Sequence, residues 1–297
     1  MPWPITRHPF GTGGCIVYGK AEMRTLLLLL VVNVCWAQPE ITLQTTPDGI
    51  RFGILGKLPD RPLPVLIYFT TSLEGSLQNP DYAKLGWMLA ANGFLVVSLD
   101  VPCHGLDKGP ERNELSCWAR RLENGDDFLK AFTSRVSKVL THLVEKGHAD
   151  PSRVIAAGVS RGGFIASHVA AGDARVSGLV ALAPVTDLLE LREFENLSTL
   201  PLANRIALNR IADGLAGRAV FIWIGNHDTR VGTDACLSFA RALVQASIAA
   251  GRKADVELHM VPSEGHRSNE STYSEAAGWI STRYSGASVV KTERDRH

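Results

Sequence analysis

The chain has 297 residues, of which 45% are hydrophobic, and it carries a formal net charge of +1. This length allows one large α/β domain with a full core, or two small domains. Acidic and basic residues are interspersed along the sequence, which excludes the basic face of a nucleic-acid-binding protein. We therefore expect a small-molecule or peptide substrate and no nucleic-acid partner.

The first 37 residues predict an N-terminal extension followed by a signal peptide. Residues 1–22 show no periodicity, whereas from Met23 the sequence reads one Arg, an apolar run over 26–34 and the segment Cys35-Trp36-Ala37. This order is typical of a secretory signal peptide that is cleaved after Ala37. The run is shorter than the roughly 20 apolar residues of a spanning helix. We expect translation from Met23, a secreted or periplasmic location and no stable membrane anchor.

Eight short apolar runs in the remaining chain predict β-strands. They begin at Ile41, Ile50, Pro64, Phe94, Arg153, Val176, Ala219 and Val256. Most of the middle runs lack alternation, as strands buried on both faces do. The turn sequence TPDG joins the first two, which should therefore pair as an antiparallel edge.

Segments with helical periodicity lie between these strands. They cover 81–91, 126–145, 162–171, 202–215, 233–250 and 270–284. Alternating strands and helices predict an α/β fold with a mostly parallel, eight-stranded sheet and helices on both faces. We place one domain over 38–285 and a polar tail over 286–297.

Two connections are longer than a crossover requires, and both leave the C-terminal ends of strands. They cover 102–125 and 186–201. Open α/β sheets bind ligands at that edge, so we expect these two segments to face the substrate.

Three cysteines remain after the signal peptide, namely Cys103, Cys117 and Cys236. In an oxidising compartment Cys103 and Cys117 can close a disulfide; the alternative is three free or buried thiols. No Cys-x-x-Cys pair or His cluster indicates a metal site, and we expect no metal or organic cofactor.

The sequence GVSRGG places Ser160 between a predicted strand and a predicted helix. A serine on such a turn is typical of a nucleophile elbow. Side chains at Gly158 and Gly162 would collide where strand and helix crowd together. Ser160 is therefore our candidate nucleophile.

A serine nucleophile needs a histidine base and an acid that orients it. Asp228 follows the last-but-one predicted strand, and His266 follows the last. The chain order Ser160, Asp228, His266 is the order this topology requires. Asp187 is the rival acid one strand earlier, and His227 is a neighbouring histidine.

The tetrahedral intermediate of acyl transfer needs two N–H donors. One should be the backbone of Arg161, directly after the nucleophile. The other should come from the segment after the third strand, at Thr71 or Ser72.

The segments ADPSRVIAAGVSRGGFIA, GFLVVSLDVPCHG, ALAPVTDL, GNHDTRV and PSEGH together resemble the α/β-hydrolase superfamily. They are most similar to the branch of prolyl-oligopeptidase-type catalytic domains, dienelactone hydrolases and acetyl-ester hydrolases. The resemblance implies Ser160 as nucleophile, Asp228 as acid and His266 as base. Cys103 stands where this motif often has Gly, which favours a structural role such as a bond to Cys117. We expect no propeller domain to gate the site.

Several other residues near these motifs have two interpretations each. Asp100 and His104 are expected to hold the loop after the fourth strand in shape. The Arg161 side chain either meets a substrate carboxylate or faces water. Trp118, Arg120 and Arg121 either line the pocket or form a solvated face.

The sequence favours a secreted serine hydrolase that cleaves carboxylic esters through an acyl-enzyme intermediate. The alternative enzyme is an exported serine peptidase of prolyl-oligopeptidase type that acts on short peptides. A third hypothesis is a binding protein that has kept the scaffold without catalysis.

Overall fold

The computed structural model describes residues 39–111, 113–267 and 270–285. The extension and signal peptide predicted over 1–37 and the polar tail predicted over 286–297 lie outside these ranges. None of the helices within the described ranges combines the length and apolarity that a membrane-spanning helix requires.

One eight-stranded sheet runs through the described domain, as predicted. Its strands are β1 Ile41–Thr45, β2 Arg51–Leu55, β3 Leu63–Phe69, β4 Leu95–Ser98, β5 Ala149–Val159, β6 Val176–Leu182, β7 Ala219–Gly225 and β8 Val256–Val261. The strand order is β1-β2-β4-β3-β5-β6-β7-β8. β1 pairs antiparallel with β2, and β2 pairs antiparallel with β4. All later pairings are parallel, which confirms the mostly parallel sheet with an antiparallel edge.

Helices connect these strands. They are α1 Leu73–Gln78, α2 Lys84–Ala91, α3 Glu114–Glu123, α4 Phe128–Glu145, α5 Arg161–Gly172, α6 Pro201–Arg205, α7 Thr233–Ala249 and α8 Glu270–Tyr284. Short 3₁₀ segments occupy much of the remaining connections, including Leu188–Glu190 and Arg192–Leu197.

The core lies in two layers, one on each face of the sheet. Along β3, Val65, Ile67 and Phe69 enter the layer that contains α3, α4, α5 and α7, whereas Leu66 and Tyr68 enter the layer that contains α1, α2 and α8. Successive side chains of a strand point to opposite faces, so an unbroken apolar run supplies both layers. Helices therefore cover both faces, as predicted.

Two predicted segments differ from the structure in secondary structure. The helix predicted over 202–215 is wrong: α6 ends at Arg205, and two 3₁₀ segments follow. The backbone N–H of Leu208 donates to the carbonyl of Thr186 instead of continuing the helical ladder. The connection 102–125 also contains a full helix, α3, which begins after Asn113, whose side chain accepts from the Ser116 N–H.

Candidate active site

Ser160 lies on a strained turn between β5 and α5. Its φ is +56°, a left-handed conformation that non-glycine residues rarely adopt. A Cβ atom at Gly158 would lie 2.2 Å from the carbonyl carbon of Gly162, and one at Gly162 would lie 1.9 Å from the carbonyl oxygen of Phe69. Glycine at both positions therefore lets the turn form against β3.

Three side chains from separate strand ends form a hydrogen-bonded chain. Oγ of Ser160 lies 2.9 Å from Nε2 of His266, and Nδ1 of His266 lies 2.7 Å from Oδ2 of Asp228. An ionised carboxylate only accepts hydrogen bonds, so Nδ1 carries the proton and Nε2 is free to accept from Ser160. The imidazole of His266 is thus in the Nδ1-protonated tautomer, which can act as a base toward Ser160.

Asp228 is held as an anion in a buried position, with 1% of its side chain exposed. Oδ1 accepts from the backbone N–H groups of Arg230 and Val231, at 3.0 and 3.2 Å. Burial alone would raise the pKa of Asp228, but His266 and these two N–H groups together lower it.

Burial and the charge of Asp228 also raise the pKa of the neighbouring Cys236 thiol to about 12, which keeps it protonated.

The rival residues take other roles. Oδ1 of Asp187 accepts from the backbone N–H of Leu189 at 2.9 Å and caps a 3₁₀ segment. His227 is exposed, and its carbonyl accepts from the Gly265 N–H. The structure therefore brings Asp228 and His266 to Ser160, and not Asp187 or His227.

Of the three residues predicted to supply oxyanion donors, Thr71 and Arg161 line the same pocket as Ser160. Their backbone N–H groups donate to no acceptor among the described residues. Ser72 instead begins α1, and its Oγ accepts from the Gly75 N–H. It is absent from the described pocket wall. Thr71 is thus better placed than Ser72 to bind an oxyanion.

The pocket around Ser160 has a volume of about 690 Å³ and lies at the C-terminal ends of the strands. Leu115 and Leu191 form part of its wall. They come from the connections 102–125 and 186–201, so both segments that were expected to face the substrate contribute to the pocket.

Tyr82 and Tyr273 lie elsewhere on the pocket wall, and the Tyr273 hydroxyl donates to the carbonyl of Asp81.

His104 and Glu114 both contact the guanidinium group of Arg161. Its Nη1 lies 3.0 Å from Nε2 of His104 and 3.6 Å from Oε2 of Glu114. Nδ1 of His104 donates to the carbonyl of Pro102, so Nε2 is the unprotonated acceptor. Burial lowers the pKa of His104, which favours this neutral form. The Arg161 side chain thus lies against protein on one side and lines the pocket on the other.

Cys103 and Cys117 form a disulfide that closes the loop carrying His104. Cys103 has a φ of +64°, a conformation that glycine adopts without strain, which fits its place where the motif often has Gly. Asp100 accepts from the backbone N–H groups of Leu73 and Leu106 and so supports the same loop.

The other three residues considered for the pocket do not line it. Trp118 is fully buried and donates from Nε1 to the Pro102 carbonyl. Arg120 pairs with Glu111, and Arg121 pairs with Asp107 and Asp126. They lie on α3, which turns their side chains toward the core or toward neighbouring carboxylates.

Arg230 is one of the charged pocket residues that were not predicted from the sequence, together with Lys84, Arg267 and Glu270. Both carboxylate oxygens of Glu193 accept from Nη2 of Arg230, at 2.8 and 2.9 Å. The available signal was its position two residues after Asp228, in a loop already expected to end at the active site. Within the described ranges, no three His, Cys, Asp or Glu side chains are grouped as metal ligands.

Several solved structures share the fold. TT1662 from Thermus thermophilus is 19% identical, with a TM-score of 0.63 over 84% of this chain and 100% of its own. The esterase Pf2001 from Pyrococcus furiosus is 17% identical, with a TM-score of 0.57 over 84% of this chain and 93% of its own. Dipeptidyl peptidase 4 from Porphyromonas gingivalis is 18% identical, with a TM-score of 0.58 over 82% of this chain but 35% of its own.

Sequence comparisons give the family. No curated protein matches the chain. The model of the prolyl oligopeptidase family matches residues 126–284, a segment that carries Ser160, Asp228 and His266. Because that match covers more than half of the 297 residues, the chain belongs to the prolyl oligopeptidase family and is a serine hydrolase with the α/β-hydrolase fold.

Proposed function

We propose that the protein hydrolyses carboxylic esters through a covalent acyl-enzyme on Ser160. The observation that carries the proposal is the hydrogen-bonded chain from Ser160 through His266 to the buried Asp228. His266 Nε2 takes the hydroxyl proton as Ser160 Oγ bonds to the acyl carbon. The ester C–O bond breaks, and the leaving oxygen receives that proton from His266.

Deacylation uses the same groups with water in place of the serine. His266 removes a proton from water, the resulting oxygen attacks the acyl carbon, and Ser160 Oγ regains a proton as the acid departs. In both steps the backbone N–H groups of Arg161 and Thr71 bind the oxyanion. Asp228 accepts from Nδ1 throughout and stabilises the imidazolium that forms.

Esters are proposed over peptides because an alcohol leaves more readily than an amine, so the chemistry demands less protonation of the leaving group. The family match and the dipeptidyl peptidase neighbour support peptides as the second candidate. Aminoacyl p-nitroanilides cleaved faster than esters with the same acyl group would favour the peptidase.

The direct test compares hydrolysis of p-nitrophenyl butyrate by the wild type and by Ser160→Ala. Ser274→Ala is the matched control, because Ser274 is exposed on α8. We expect Ser160→Ala to lose hydrolysis and labelling by a fluorophosphonate probe, and Ser274→Ala to keep both. Undiminished hydrolysis by folded Ser160→Ala would exclude the mechanism, and failure of Ser160 to react with the probe would favour a binding protein.

We also propose that the protein is exported after cleavage behind Ala37. The basic, apolar and small-residue order of residues 23–37 supports this, as does the Cys103–Cys117 disulfide, a bond typical of oxidising compartments. N-terminal sequencing of the protein recovered outside the cytoplasm should begin at Gln38. Recovery from the cytoplasm alone, with residues 23–37 retained, would contradict export.

A further inference from the structure

Three arginines line the pocket that contains Ser160; Arg161 and Arg230 are half-buried, whereas Arg267 is exposed. Lys84 and the carboxylates Asp81 and Glu270 also line this pocket. Arg161 directly follows Ser160, and Arg230 follows Asp228 by two residues; both line the pocket. The side chains of Arg161 and Arg230 are 26% and 33% exposed, so both are partly shielded from bulk water. Charges in such a setting interact more strongly than charges on an open surface.

Arg161 and Arg230 are each anchored by a carboxylate that is itself absent from the described pocket wall. Glu193 accepts from Arg230, and Glu114 lies beside Arg161. Neither glutamate lines the pocket. The two carboxylates therefore contact the arginines from outside the described pocket wall.

These anchoring contacts use one nitrogen of each guanidinium. His104 and Glu114 both approach Nη1 of Arg161, and Glu193 approaches Nη2 of Arg230. The remaining nitrogens, Nε and Nη2 of Arg161 and Nε and Nη1 of Arg230, donate to no acceptor in the described part of the chain. Guanidinium N–H groups of this kind bind carboxylates with strong, directional hydrogen bonds.

The two positive charges also act on each other. Burial lowers the pKa of the Arg161 guanidinium, and the charge of Arg230 lowers it further while Glu114 opposes the shift. An anion between the two groups would relieve that repulsion. Leu115 and Leu191 line the same pocket and give it an apolar part beside these charges.

We propose that Arg161 and Arg230 bind a carboxylate of the substrate, so that the enzyme prefers monoanionic esters to neutral esters of the same size. The inference rests on the ester hydrolysis proposed above. The carboxylate belongs either to the acyl part, as in a hemiester of a dicarboxylic acid, or to the leaving group, as in an acylated hydroxy acid.

Two pairs of substrates separate these sources. p-Nitrophenyl hemiglutarate against p-nitrophenyl pentanoate places the charge on the acyl part, and 4-acetoxybenzoate against 4-acetoxybenzamide places it on the leaving group. The readout is the ratio of kcat/KM for the charged ester to that for the neutral ester. In the pair that matches the natural substrate, Arg161→Met and Arg230→Met should each lower this ratio by about tenfold to a hundredfold.

Lys253→Met is the control for the loss of one positive charge. Lys253 is 82% exposed and pairs with Asp255, away from the described pocket wall. Lys253→Met should leave the charged-to-neutral ratio of kcat/KM unchanged. An equal ratio in the wild type and both folded arginine variants, for both substrate pairs, would overturn the anion site.

A measurement on the wild type avoids dependence on the folding of the variants. Glutarate should protect Ser160 from a fluorophosphonate probe at concentrations where glutaramide does not, and equal protection would count against the site.

If the wild type cleaves none of the four esters, the proposed function fails and the inference falls with it. If it cleaves the neutral esters through Ser160 and the arginines do not affect the ratio, only the anion site fails.

Discussion

Nε2 of His104 accepts a hydrogen bond from Nη1 of Arg161 at 3.0 Å. This contact connects the residue next to Ser160 to a loop that the Cys103–Cys117 disulfide closes. The conformation of that loop therefore affects where one guanidinium of the pocket lies.

His104 is expected to act as a positioning residue for Arg161. His104→Phe keeps a ring in the cavity but removes the acceptor, so the charged-to-neutral ratio of kcat/KM should fall about twofold to tenfold. His104→Gln offers a side-chain oxygen to Arg161 and should restore much of the ratio. Equal ratios in the wild type and in both folded variants would show that His104 does not position Arg161.

The disulfide is expected to stabilise the native state. It closes a loop with a sequence separation of 14, for which chain-entropy reasoning gives about 3 kcal/mol. The double variant Cys103→Ser with Cys117→Ser should lose about that much free energy of unfolding in urea denaturation. Dithiothreitol should bring the wild type to the same stability and leave the double variant unchanged; wild-type stability that ignores the reductant would contradict the prediction.

Gly162→Ala should damage the turn that holds Ser160. The added Cβ would lie 1.9 Å from the Phe69 carbonyl oxygen, a backbone atom of β3 that cannot move without disturbing the sheet. We expect a loss of about 1 to 3 kcal/mol in unfolding free energy, together with reduced ester hydrolysis.

The matched control for Gly162→Ala is Gly278→Ala in α8. Apart from its chain neighbours and the nearby backbone of α8, nothing lies within 4 Å of a Cβ added at Gly278, so the variant should gain about 0.5 to 1 kcal/mol from helix propensity. Equal stability of the two alanine variants would contradict the crowding described at Gly162.

Asp228→Asn should lower kcat by about a thousandfold to ten-thousandfold at neutral pH. An amide can donate to Nδ1 of His266, which leaves the proton on Nε2 and removes the base that faces Ser160. Asp187→Asn tests the rival acid and should stay close to wild type, because Asp187 caps a 3₁₀ segment. A larger loss in Asp187→Asn than in Asp228→Asn would reverse the assignment.

His168 should make stability depend on pH. Its Nε2 donates to the Ile206 carbonyl at 3.0 Å, and burial lowers its pKa to about 4. An unfolded histidine takes up a proton near pH 6.5, so between pH 6.5 and 4 the unfolded state binds a proton that the native state does not. This contribution to stability is complete above that window and falls by up to about 3 kcal/mol as the pH drops through it.

The comparison for this pH effect is His168→Gln, whose amide can still donate to the Ile206 carbonyl but does not titrate. Urea denaturation from pH 7 to pH 4 should show a shallower loss for His168→Gln than for the wild type. His227→Gln, at an exposed position, should follow the wild type. Identical slopes for the wild type and His168→Gln would rule out this role.

Much of the fold was predictable because its strands are strongly apolar and its turns are chemically distinct. The runs that became β3 and β5 to β7 are buried on both faces, and such runs have few alternatives to a central strand. The missed helix α3 carried a readable signal in Asn113 as its N-cap and in Leu115, Trp118 and Leu122 on one face. Its length of ten residues made that signal weaker than those of α4 and α7.

The fold class, the turn at Ser160 and the chain order of Ser160, Asp228 and His266 are readable in the sequence alone, because they follow from local periodicity and from the residues that end each strand. Three other features depend on tertiary contacts: which of Thr71 and Ser72 lines the pocket, where the helix within 202–215 ends, and the presence of Arg161 and Arg230 in one pocket. Those outcomes depend on hydrogen bonds between residues far apart in the chain, such as Leu208 to Thr186 and Arg161 to His104. Local sequence patterns do not predict such pairings, because the two partners come together only when the sheet brings distant loops to the same edge.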